Sequence, residues 1–214
     1  MNIDLPKGNM LRQLQSNPCI AILRGLKPAQ AKAIGQKLYQ HGIKIMEVPL
    51  NREGAYESIE ILYNSMPSDC LIGAGTVTKV EQLDRLHALG IKLAISPNTD
   101  VDIIQKAAEY NMLHMPGVAT PSEVYTAYNS GARWLKLFPA TTFGTGHLKA
   151  LLSIAPKGAN FIAVGGLDTT NLKDWMAAGA KGVGIGNSLY SEDDIFVESE
   201  KKIALFAEAC KQIK

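Results

Sequence analysis

The sequence has three cysteines, Cys19, Cys70 and Cys210, and no CxxC pair. An odd, scattered set argues against a disulfide framework and against a zinc site, and points to a reducing, cytoplasmic setting. The four histidines, His41, His87, His114 and His147, show no metal-ligand spacing, so no metal is expected and all four read as structural or exposed. Charge of one sign is scarce as well. The formal net charge is +2 with no extended basic block, which argues against a nucleic-acid surface or a polyanionic partner. No stretch approaches the length of a membrane span, and the opening "MNIDLPKGNMLRQLQSNP" has no apolar h-region, so neither a membrane anchor nor a cleaved leader is expected. With 46% hydrophobic and 20% charged residues the chain is not disordered, and the expected partner is a small molecule.

What is present is an alternation. Eight short apolar runs recur: "CIAIL" (19–23), "KIMEVPL" (44–50), "LIGAG" (71–75), "LAISP" (93–97), "LHMPG" (113–117), "WLKLFP" (134–139), "FIAVGG" (161–166) and "GVGIG" (182–186). Each has the length of a buried parallel strand. Between them lie segments apolar at three- and four-residue spacing, such as Pro28 to Gln40, Ala55 to Ser65, Val80 to Leu89 and Val101 to Tyr110. Helix starts are signalled at Thr99–Asp100, Thr120–Pro121 and Thr170–Asn171, and helix ends by Gly42, Gly90, Gly131 and Gly179. Eight βα units predict an α/β fold, a (β/α)8 TIM barrel forming a single domain over 1–214, with a short extra N-terminal helix before Cys19 closing its bottom. An open doubly wound sheet is the second choice, since it uses fewer strands and no GxGxxG follows the first run.

In a barrel the active face lies at the strand C-terminal ends. Sorted that way, the polar exceptions gather on one face: Arg24, Glu47, Thr76, Pro97 and Lys136, with glycine-rich turns after the last two runs. Lys136 stands inside "WLKLFP", where a charged side chain either snorkels to solvent, pairs with a carboxylate, or serves as an amine that attacks a carbonyl. A lysine at its free pKa of about 10.4 is almost wholly protonated, so a nucleophilic amine must fall by roughly 2 to 3, which burial in an apolar barrel supplies. Glu47 is the matching exception in "IKIMEVPL". Alone it reads equally as a structural ion-pair partner; with Lys136 in the same barrel it makes a proton-transfer pair. Gly165, Gly166, Gly184 and Gly186 either make tight turns or let backbone N–H groups reach a phosphate, with Ser188 as a hydroxyl donor. Arg24 suits a carboxylate or phosphate, and Asp168 reads as a cap.

These residues carry a family resemblance. "GIKIMEVPLN" (42–51) resembles the glutamate motif, and "GARWLKLFPATTFG" (131–144) the Schiff-base lysine motif, of the 2-keto-3-deoxy-6-phosphogluconate and 2-dehydro-3-deoxy-6-phosphogalactonate aldolases. The similarity runs from "CIAILRG" to "GIGNSLY", with "LIGAGTV", "ISPN" and "PGVATPSE" in order. It implies a class I aldolase, without metal or cofactor, that cleaves a 2-keto-3-deoxy-6-phospho sugar acid to pyruvate and glyceraldehyde 3-phosphate, as a homotrimer. By the same match Lys136 forms the imine and Glu47 is the general acid/base. Arg24, Thr76 and Pro97 surround the pyruvyl carboxylate and carbonyl, Phe138 walls the pocket, and Gly165, Gly166, Gly186 and Ser188 hold the phosphate. The gluconate branch carries Thr-Leu-Arg after the glutamate-valine pair and threonine before the double glycine. This chain has Pro49, Leu50, Asn51 and Val164, which resemble the phosphogalactonate branch. The alternatives are the phosphogluconate epimer, with 4-hydroxy-2-oxoglutarate as a further substrate, an imine-free phosphate-binding barrel (isomerase, decarboxylase or synthase), and a non-catalytic sugar-acid sensor.

Overall fold

The computed structural model describes residues 10, 12, 14–191 and 196–213. The first half runs β1 (Cys19–Ile22), α1 (Pro28–Gln40), β2 (Ile45–Pro49), α2 (Ala55–Ser65), β3 (Leu71–Gly75), α3 (Val80–Ala88), β4 (Leu93–Ile95) and α4 (Val101–Glu109). The second half runs β5 (Leu113–Met115), β6 (Gly117–Val118), α5 (Pro121–Asn129), β7 (Trp134–Leu137), α6 (Ala140–Ile154), β8 (Asn160–Val164), α7 (Leu172–Ala177), β9 (Gly182–Ile185) and α8 (Phe196–Lys211). The helices begin and end where the sequence places its signals. Asp100 accepts a bond from the Ile103 N–H at 3.1 Å, and Thr120 forms a capping box with Glu123. Gly42, Gly90, Gly131 and Gly179 all take positive φ just past their helices.

Strands pair in parallel in the order β5-β4-β3-β2-β1-β9-β8-β7-β6. The two ends of that order are consecutive pieces of chain, because β5 and β6 flank Pro116. One of the eight apolar runs is thus two strands. Proline has no N–H to give to a ladder, so β5 bonds to β4, β6 bonds to β7, and the chain steps across the seam between them. The Ser96 N–H donates to the Met115 carbonyl at 3.0 Å and the Lys136 N–H to the Pro116 carbonyl at 2.9 Å, which closes the barrel.

Alternation along each strand divides the core in two. Ile20, Ile45, Leu71, Leu93, Leu113, Trp134 and Ile162 pack inside the barrel. Met46, Ile72, Ala94, Leu135, Phe161 and Val183 pack outward against the helices. Residues 10, 12 and 14–16 are helical, and Met10 and Leu14 join the inner cluster at the strand N-terminal ends, as a bottom plug should. The remainder of that expected helix lies outside the described residues.

The cysteines correct an expectation. Cys19 on β1 and Cys210 on α8 are joined in a disulfide across 191 positions, while Cys70 is free. The scatter in sequence concealed this, because α8 returns beside α1 and β1 only once the barrel has closed. Among the described residues no helix is long and apolar enough to cross a membrane.

Candidate active site

Lys136 and Trp134 face the barrel interior while Leu135 and Leu137 face the helices, so the period of two that buries β7 also directs one amine inward. Lys136 is 7% exposed. On β2 the same alternation turns Glu47 inward between Met46 and Val48, and it is 2% exposed. Glu47 pairs in register with Ile22 on one side and Gly73 on the other; Gly75, two residues further along β3, is what makes room for it. A Cβ at Gly75 would overlap the Glu47 carboxylate, so the absence of a side chain at position 75 lets the acid group occupy the barrel mouth.

Both groups line a cavity of about 410 Å³ at the strand C-terminal ends, within the range of small-molecule sites. Burial pushes the Glu47 carboxyl up from 4.5 to about 7, against the opposing pull of Lys136 and Arg24. Burial also lowers the Lys136 ammonium, with Glu47 opposing and Arg24 assisting. The Phe138 ring centroid lies 4.7 Å from Nζ, a contact that favours the ammonium and opposes the desolvation. Glu47 Oε2 is buried without a hydrogen-bond partner. The site therefore holds a carboxyl that exchanges protons near neutrality beside an amine brought toward its free-base form, a pairing suited to imine chemistry.

The other expected residues distribute around these two. Arg24, after β1, is exposed at the rim, and Thr76, after β3, borders the cavity with φ 55°. Phe138 and Val164 form apolar wall. Gly165 and Gly166 both take positive φ, where a side chain is strained; a Cβ at Gly166 would collide with Thr141, and one at Gly165 would sit tightly against Phe138 and Pro139. With Gly186 and Ser188 they line the far end of the cavity. Ser188 Oγ donates to the Leu167 carbonyl at 3.0 Å, so its proton is directed at the backbone rather than into the cavity. Pro97 is not among the residues that border this cavity; its carbonyl packs over Gly117, which has no Cβ to collide with it. Residues 187–189 form a turn after β9.

Sequence reasoning missed Ile22 and Asn187 and treated Asp168 only as a cap, while Gly184, named there as a turn glycine, borders the cavity. Asp168 does not cap the next helix, whose N-cap is Asn171; it stabilises the turn before it, accepting from the Thr170 N–H at 2.8 Å and its hydroxyl at 2.6 Å, and it borders the cavity. Gly75 left no chemical signal, because its importance is set by the neighbouring strand's register. Among the histidines, His87 stacks on Tyr110, His147 sits 2.6 Å from the Ala119 carbonyl, and His114 is buried. Among the described residues no group of three His, Cys, Asp or Glu side chains is placed to hold a metal.

The chain is similar to known proteins in sequence and in fold. The chain is 37% identical to the 2-dehydro-3-deoxy-6-phosphogalactonate aldolase of Escherichia coli (strain K12), over 91% of this chain and 95% of that protein. It is 42% identical to a probable 2-dehydro-3-deoxy-6-phosphogalactonate aldolase of Rhizobium meliloti (strain 1021), over 81% of this chain and 82% of that one. A solved structure described as native KDPGal superposes with a TM-score of 0.88 at 37% identity, covering 92% of this chain and 95% of its own. Residues 10–205 match the family described as "Aldolase: KDPG and KHG aldolase". The barrel, the inward lysine and glutamate, and these matches lead to one conclusion: the chain belongs to the KDPG and KHG aldolase family, whose members are lyases.

Proposed function

We propose that the chain is a class I aldolase that cleaves 2-dehydro-3-deoxy-6-phosphogalactonate to pyruvate and D-glyceraldehyde 3-phosphate. The observation that carries this reading is the pair of buried, oppositely shifted groups, Lys136 and Glu47, lining one cavity. The free amine of Lys136 adds to the C2 carbonyl, and the carbinolamine loses water to give a protonated imine. Glu47, with a pKa of about 7, supplies the proton that leaves with that water. Removal of the C4 hydroxyl proton then forms the aldehyde as the C3–C4 bond breaks, and the bonding pair moves into the iminium to leave an enamine. Protonation at C3 and hydrolysis release pyruvate and regenerate the amine. Arg24 and Thr76 meet the carboxylate, Phe138 walls the cavity, and the Gly165, Gly166, Gly186 and Ser188 end receives the phosphate. Pro97 shapes the site from behind Gly117 rather than by touching substrate.

The epimer preference rests on Pro49 and Val164, which line the cavity without polar side-chain atoms, and on Leu50 and Asn51 beyond them. A pocket lacking donors there does not reward the hydroxyl configuration that an arginine and a threonine would read. The names of the two relatives agree with this preference. The chain acts as one barrel domain over 1–214 without a cofactor, as a homotrimer in the cytoplasm; light scattering checks the trimer. The reading is tested by following pyruvate release from each epimer. Higher kcat/KM on the galactonate epimer is the expected result. A preference for the gluconate epimer would reverse the assignment, and no release from either would remove the activity.

A further inference from the structure

Behind the cavity, in the layer between sheet and helices, lies a polar pair that the proposed chemistry does not use. Ser96 is fully buried and His114 is 7% exposed. Ser96 Oγ donates to the Val77 carbonyl at 2.6 Å and lies 2.8 Å from His114 Nε2. A hydroxyl has one proton, and here it goes to Val77, so Nε2–H of the imidazole must be the donor to Ser96. That fixes the tautomer and leaves Nδ1 bare, and Nδ1 is indeed buried without a partner. Burial holds the ring neutral, with its pKa pushed down to about 4, in keeping with a single-proton donor. Two polar side chains in this layer incur a desolvation cost that only a structural or functional requirement offsets.

The relay crosses three consecutive strand ends. His114 belongs to β5, Ser96 follows β4, and Val77 follows Thr76 at the end of β3. Thr76 is held at φ 55°, a left-handed conformation that a β-branched residue avoids unless its surroundings impose it. The flanking peptides are held on both sides: the Leu50 N–H donates to the Gly75 carbonyl at 2.9 Å before Thr76, and after it the Val77 N–H donates to the Ile95 carbonyl at 3.1 Å while the Val77 carbonyl receives the Ser96 hydroxyl. Ser96 itself is anchored by its own N–H to the Met115 carbonyl at 3.0 Å. Thr76, the residue so constrained, borders the cavity.

We propose that His114 and Ser96 are positioning residues, a buried relay that clamps Val77 and so holds Thr76 in the orientation that receives the keto-acid carboxylate. Neither side chain touches substrate. The inference rests on the aldolase reading of the cavity, in which pyruvate forms an imine with Lys136.

The test is borohydride trapping of pyruvate on the intact chain as a function of pyruvate concentration, with melting temperature measured in parallel. Ser96→Ala is expected to raise the half-saturating pyruvate about tenfold, the effect of one lost buried hydrogen bond, while trapping at saturation still proceeds on Lys136. Ser96→Thr keeps the hydroxyl and His114→Gln keeps a donor at the Nε2 position, and both are expected within about twofold of the parent. Should Ser96→Ala fail to fold, His114→Leu removes the donor and retains bulk, and a several-fold rise is expected. A folded Ser96→Ala, or in its place His114→Leu, that melts lower yet half-saturates like the parent would make the pair merely structural and overturn the proposal. Absence of trapping in the parent chain would overturn the aldolase reading, and this inference with it; trapping in the parent with unshifted variants overturns this inference alone.

Discussion

Burial drives Glu47 and Lys136 toward each other in pKa from opposite sides, and both displacements oppose folding at neutral pH. Between pH 4.5 and about 7 the folded chain binds a proton at Glu47 that the unfolded chain has released. The stability tied to that proton is complete below 4.5 and is lost as pH rises through about 7. Lys136 has the reverse sign: its contribution is present above 10.5 and is lost as pH falls through its lowered value. Glu47→Gln should therefore leave the melting temperature unchanged near pH 4.5 and raise it at pH 8, by roughly 1–3 kcal/mol of stability. A variant equally destabilised at both pH values would contradict the burial account. In kinetics, Glu47→Gln should slow cleavage about 10²- to 10⁴-fold, remove an ionisation near pH 7 from the rate profile, and still permit imine trapping. Lys136→Met should abolish cleavage with the fold intact, as circular dichroism would show; persistent turnover would exclude Lys136 as the nucleophile. These two residues were legible in the sequence because an ionisable side chain inside an apolar strand is conspicuous. Ser96 and His114 were not legible as a pair: Ser96 carries no charge, and His114 within β5 reads as a structural histidine until the fold brings the Ser96 hydroxyl to it.

The barrel strands were readable as apolar runs because a parallel strand is buried on both faces, and helix limits were readable from caps and glycines. What escaped notice depends on register between strands. Pro116 looked like one residue within a strand, yet its missing N–H divides β5 from β6 and sets the seam. The resemblance implies Pro97 beside the pyruvyl group, and what no sequence shows is that its carbonyl packs over Gly117, a position where a Cβ would collide with it. Gly75 is the clearest instance: β3 supplies a gap where β2 supplies an acid. Gly75→Ala should press the new methyl into the Glu47 carboxylate, lower kcat at least about tenfold and cost about 1–3 kcal/mol. Steady-state kinetics and thermal melts read both effects, and an unchanged kcat would mean that Glu47 acts from another position.

Closure of the barrel brings β1 and α8 together, and the Cys19–Cys210 disulfide ties them. A cross-link spanning 191 positions removes much of the unfolded chain's freedom, worth roughly 3–5 kcal/mol in the loop-entropy account. Reductant, or Cys210→Ser, should lower the melting temperature while leaving pyruvate trapping at the opposite, strand C-terminal face unchanged. An unshifted melt under reductant would deny the pair a stabilising role. In the cytoplasm, where thiols are kept reduced, the barrel would rely on its two-layered core alone. That core exists to hold one amine and one carboxyl over a common cavity, and the claim is tested most directly by covalent capture. The chain is incubated with pyruvate, reduced with sodium borohydride, digested and mapped by mass spectrometry. A reduced pyruvyl adduct on the peptide containing Lys136, absent from Lys136→Met, is the result this account predicts. A parent chain left unmodified under conditions that trap an authentic imine aldolase would contradict it.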